Sequence, residues 1–139
     1  MCKGTTIAFR LGDMWFEYDE EKNRGNIKKH GISLRSAARV FFDYDRIEMF
    51  DDDAEYGEDR YDTIGDTSAG YIFHNADPLS TLTIGSAQNE INEVNDILFV
   101  VYTERFQRID SGKRIDITRL ISARLATNFE RGLYYGKHE

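Results

Sequence analysis

The sequence predicts an α+β domain in which an antiparallel sheet of about four strands carries two N-terminal helices and one C-terminal helix. Three observations lead there. Two helix-start residues, Asp19 and Ser33, follow each other early in the chain. The run ILFVVY, Ile97 to Tyr102, is β-branched and aromatic without a break, as in a strand covered on both faces. Thr127 and Glu130 stand three apart, the spacing of a capping box that opens a last helix.

Taken in order, Trp15 to Tyr18 reads as a short strand that ends at Asp19, an N-cap followed by Glu20 and Glu21 in the first helical turn. The helix from about 19 to 30 has little apolar content beyond Ile27 and stops at Gly31, so its buried stripe is narrow. Ser33 then caps a second helix in which Leu34, Ala37, Ala38, Phe41 and Phe42 share a face. Arg46 to Phe50 and Arg60 to Gly65 read as a hairpin around the acidic stretch DDDAEYGED. Residues 66–96, mixed in pattern with Gly70, Pro78, Gly85 and several Asn, read as an insertion. Ile97 to Tyr102 is the central strand, and a turn through Asp110, Ser111 and Gly112 leads to a strand from Arg114 to Ala123. The expectation is one domain over all 139 residues, since 40% hydrophobic content with one proline is globular in character.

A net charge of −7 argues against nucleic-acid binding in general, but it hides an asymmetry. Net charge runs −6 over residues 1–70, −4 over 71–96 and +3 over 97–139, so the last third can still offer an anion site. The absence of an apolar run of membrane-spanning length, of a signal peptide and of a second cysteine beside Cys2 points to the cytoplasm, away from the membrane. His30, His74 and His138 are scattered, so no metal site and no cofactor is expected. The stretch Asp51 to Asp62 fails as a calcium loop because Tyr56 stands where glycine is needed. It reads first as a solvated hairpin loop and second as a dock for a basic segment of a partner.

Four segments in sequence carry a family likeness. WFEYDEEKNRGNIKKHGIS, RYDTIGD, VVYTER and RLISARLATNFERGLYY occur in an order that resembles the BrnT toxins. The resemblance covers most of residues 14–65 and 97–135. It implies a RelE-like fold, RNA cleavage that needs no metal, and a BrnA-like antitoxin through which the pair reaches DNA. Two departures stand out: the insertion at about 66–96, and Leu125 in place of a frequent lysine.

Cutting RNA without a metal requires a group that takes the 2′-hydroxyl proton, cations for the pentavalent phosphate, and protonation of the leaving 5′-oxygen. On the resemblance, Glu104 is the expected general base and Arg124 the phosphate clamp, with Arg105 and then His30 as further catalytic candidates. Arg119, Arg60 and Lys29 are the candidate substrate contacts. Strand parity sets Glu104 and Arg105 on opposite faces, and likewise Arg119 and Arg124, unless a strand bulges. Plainer readings stand beside these. Glu104 and Arg105 also fit a cross-strand ion pair, Arg60 fits a neighbour of the acidic loop, and Lys28, Lys29 and His30 suit a helix C-terminus whatever the function. The rival to a nuclease is a binding module of the same fold that sequesters a partner or regulates transcription with it.

Overall fold

The computed structural model describes residues 4–51, 57–70 and 96–136, and within these the chain is α+β. Six strands form one mixed sheet: β1 (Thr6–Leu11), β2 (Met14–Asp19), β3 (Ile47–Asp51), β4 (Arg60–Asp66), β5 (Ile97–Arg108) and β6 (Arg114–Leu125). Their order is β1-β2-β6-β5-β4-β3. The helices are α1 (Glu20–His30), α2 (Leu34–Ala37), which tightens into a 3-10 turn at Ala38–Phe42, and α3 (Asn128–Gly136).

This corrects the expected sheet of four antiparallel strands. β1 was not anticipated, although Ile7, Phe9 and Leu11 alternate with Thr6, Ala8 and Arg10 and pair with β2. All the other pairings are antiparallel, but β2 runs parallel to β6, Trp15 facing Ile117 through Tyr18 facing Leu120. A parallel pair needs a long crossover, here supplied by everything between Asp19 and Arg114. The central hairpin is also longer than expected, with twelve residues in each of β5 and β6.

The main core lies between α1–α2 and one face of the sheet. Phe9, Phe16, Tyr18, Leu98, Val100, Tyr102, Leu120 and Ala123 meet Leu34, Ala37, Val40 and Phe41 there. A smaller cluster on the other face joins Tyr134 of α3 and Ala126 to Ile64 and Ile97. There the Tyr134 hydroxyl donates to buried Asp43, 2.6 Å away.

The second helix is also corrected, being one α turn and then a 3-10 turn instead of a continuous helix. Arg39, 1% exposed, turns its Nε back to the Ser36 carbonyl, and the tightened coil sits on Gly65, where a Cβ would lie 3.0 Å from that of Val40. The buried stripe of α1 is polar as well: Ile27 is exposed, while Asn23 and Asn26 are buried. Asn23 Oδ1 accepts from Leu34 N–H. Asn26 Nδ2 donates to the Ile32 and Ala123 carbonyls at 2.8 Å, and its Oδ1 accepts from Ala123 N–H at 3.1 Å. β2 stops pairing at Leu120, so Asn26 takes over the backbone edge that β2 leaves open on β6.

Asp19 and Ser33 cap as their residue types require, Gly31 ends α1 at φ 72°, and Thr127 with Glu130 closes both arms of the capping box. Of the stretch read as an insertion, residues 71–95 lie outside the described residues, as do Cys2, His74, His138 and residues 52–56 of the acidic loop. Its two ends meet: Thr67 N–H donates to the Asp96 carbonyl at 3.1 Å, and Asp96 N–H to Thr67 Oγ1 at 3.1 Å.

Candidate functional site

Cross-strand partners share a face, so the register assigns every strand residue to the helix-packed face or to the opposite one. The opposite face collects charge. Glu17 of β2 pairs with Arg119 of β6, which pairs with Thr103 of β5, and Arg105 follows two residues along. β6 carries one extra residue: Val101 pairs with Ser122 but Tyr102 with Leu120, leaving Ile121 unmatched. The bulge returns Arg124, opposite Phe99, to the face of Arg119, opposite Thr103. Parity alone had separated these two arginines, and the bulge overturns that expectation.

Two groups result. In the first, Arg119 Nη1 donates to Glu17 Oε2 at 2.7 Å, and Arg105 Nη1 lies 3.8 Å from the same oxygen. Arg105 Nη2 donates to Glu58 Oε1 at 3.1 Å, and Arg60 lies 3.7 Å from that carboxylate. Two guanidiniums thus converge on one carboxylate oxygen whose side chain is 15% exposed. In the second, Arg124 holds Glu130 in a fork at 2.8 and 2.9 Å and covers the Phe99 ring at 4.3 Å. The Arg124 hydrogen bonds hold the Glu130 carboxyl below its ordinary range, with smaller help from the Thr127 N–H. Asp62 on β4 goes the other way. Desolvation first, then the charges of Asp51 and Glu130, push it above the ordinary carboxylate range against the pull of Arg124. The two groups are four strand residues apart by register, about 13 Å.

Arg105 and Arg119 are therefore brought together, with Arg60 at the margin, while Arg124 lies further along the same face. Glu104 is not among them. It pairs with Thr118 on the helix-packed face, near Tyr61, and it stands five residues of β5 from the level of Arg124. Lys29 and His30 end α1, in the layer on that same face. Glu17 was quoted from the sequence only as part of the WFEY motif and not as a site residue. The available signal was parity: a carboxylate between Phe16 and Tyr18, both core-facing, must point away from the core. Among the described residues, no three His, Cys, Asp or Glu gather as a metal-binding set.

A carboxylate braced by two arginines on an accessible sheet face can accept a proton next to a phosphate that those arginines neutralise. Residues 18–75 match the family of ribonuclease toxins named BrnT, of type II toxin-antitoxin systems. The likeness to BrnT read from the sequence therefore holds over residues 18–65. No curated protein matches the chain. The BrnT match spans the end of β2, α1, α2, β3 and β4, and so includes Lys29, His30 and Arg60 but not Glu17, Arg105, Arg119 or Arg124. No helix among the described residues is long and apolar enough to cross a membrane.

Proposed function

We propose that this chain, as a single BrnT-like domain over residues 1–139, is an endoribonuclease toxin that cleaves RNA without a metal and is neutralised by a BrnA-like antitoxin. The observation that carries the reading is the pair of guanidiniums, Arg105 and Arg119, on one oxygen of Glu17. A phosphodiester entering between them replaces part of their contact with carboxylate, so the negative charge that builds on the phosphoryl oxygens meets donors already in position. Glu17 takes the proton of the 2′-hydroxyl, the 2′-oxygen bonds to phosphorus, and the bond to the 5′-oxygen breaks as that oxygen is protonated from water. The products are a 2′,3′-cyclic phosphate and a 5′-hydroxyl. Arg124 serves as an outer contact for a neighbouring phosphate of the same strand.

The test is cleavage of a defined RNA in the presence of EDTA. Glu17→Gln and Arg119→Ala are expected to lower the rate by roughly a hundredfold or more, in line with loss of a general base or of a transition-state donor. If Glu17→Gln cleaves normally while Glu104→Gln does not, the proton acceptor lies on the other face and this assignment is wrong.

One observation favours a second reading, a module that binds its partner or regulates transcription with it but cuts nothing. Arg105, Arg119 and Arg124 are each already engaged by a carboxylate, so RNA must compete with Glu58, Glu17 and Glu130. Expression without antitoxin separates the two. Growth arrest with loss of RNA supports the nuclease, and harmless expression supports the binder.

A further inference from the structure

On the helix-packed face, the far half of the β5–β6 hairpin reaches past the core. A cavity of about 170 Å³ opens there, lined by Glu104, Arg105, Phe106, Arg114, Asp116 and Thr118. Pockets that enclose drug-sized molecules run to roughly 300–1,000 Å³. The space suits a single small group and not a drug-sized molecule.

Its chemistry is specific. The Phe106 ring is 55% exposed, with the Arg114 guanidinium 4.5 Å and the Arg108 guanidinium 5.9 Å from its centre. An exposed aromatic ring among arginines is how proteins hold unpaired bases, by stacking and cation–π attraction beside a charged backbone. Asp116 is engaged by Arg114 at 2.8 Å. Glu104 lines the cavity, and a carboxylate has about four lone-pair sites with which to accept. Two adjacent N–H donors suit a carboxylate best, and among the four bases guanine alone offers them, at N1 and N2. Arg105 ties the cavity to the opposite face, since it lines the one and lies 3.8 Å from Glu17 on the other.

We propose that this cavity binds one unpaired guanine of an RNA strand, with Phe106 stacking on the base and Glu104 accepting from its N–H edge. RNA as the ligand rests on the ribonuclease reading. The role assigned to Glu104 does not, because it is recognition and not proton transfer.

The experiment measures binding of the whole protein to two uncleavable 2′-O-methyl oligonucleotides, UUGU and UUUU, by fluorescence anisotropy. The expected result is about tenfold tighter binding of UUGU, a preference lost in Glu104→Gln, and roughly tenfold weaker binding of both strands by Phe106→Ala. Arg119→Ala should weaken both strands equally and keep the preference. Equal affinity of the unaltered protein for the two strands overturns the proposal, as does a full preference in Glu104→Gln. If Phe106→Ala releases the antitoxin but binds RNA normally, the surface belongs to a protein and the proposal also falls. A protein that prefers UUGU yet cleaves no RNA upholds the base site and removes the nuclease.

Discussion

Asn26 shows what one residue can decide. Its amide makes three hydrogen bonds to backbone groups, two of them to Ala123, in a position 7% exposed. Asn26→Ala strands these groups away from water and should cost roughly 2–4 kcal/mol, read as a lower urea midpoint with unchanged slope. Asp62 and Glu130 decide the response to acid. The Glu130 carboxyl is lowered, so its contribution is present above the ordinary glutamate range and is lost as pH falls through the folded-state value. Asp62 is raised, so what it contributes is full below the ordinary aspartate range and is lost as pH rises through the folded-state value. Glu130→Gln is therefore expected to be less stable than the unaltered protein at pH 7, with the gap narrowing as pH falls below the ordinary glutamate range. Asp62→Asn should be more stable at pH 7, with its advantage vanishing over the same range. Urea midpoints from pH 3 to 7 check both signs.

Among the elements, those with strong local signals were legible in advance: the capped ends of α1 and α2, the β3–β4 hairpin, the apolar half of β5 and the capping box of α3. β1 escaped because its alternation ends in the turn at Gly12 and Asp13, and it is stable only as the edge partner of β2. The second helix was overextended because a shared apolar face is common to α and 3-10 coils. What separates them here is the close approach of Gly65 to Val40. The stem between Thr67 and Asp96 carries its own prediction. Since both ends of the interposed segment are tied at one point, replacing residues 71–95 by a short Gly-Asn turn should leave the fold intact. Near-UV circular dichroism and the urea midpoint would show it, and loss of cooperative unfolding would refute it.

At the scale of the molecule, a net charge of −7 and three paired arginines set how strongly the proposed ribonuclease should hold RNA. With about three phosphates neutralised on a single strand, log Kobs should fall with log salt at a slope near −2. A slope near zero would exclude Arg105, Arg119 and Arg124 as phosphate contacts. The amino-acid sequence by itself determined the α+β class, most element boundaries, the basic character of the last third and the likeness to BrnT. These are written in local periodicity, capping and composition. Only the tertiary structure decided which charges meet. Glu17 reaches Arg119 through a parallel pairing of strands about a hundred residues apart, and Arg124 shares their face because one unmatched residue, Ile121, shifts the phase of β6. Strand order and a bulge leave no local periodicity to read, since both are settled by which pairings bury the apolar faces together.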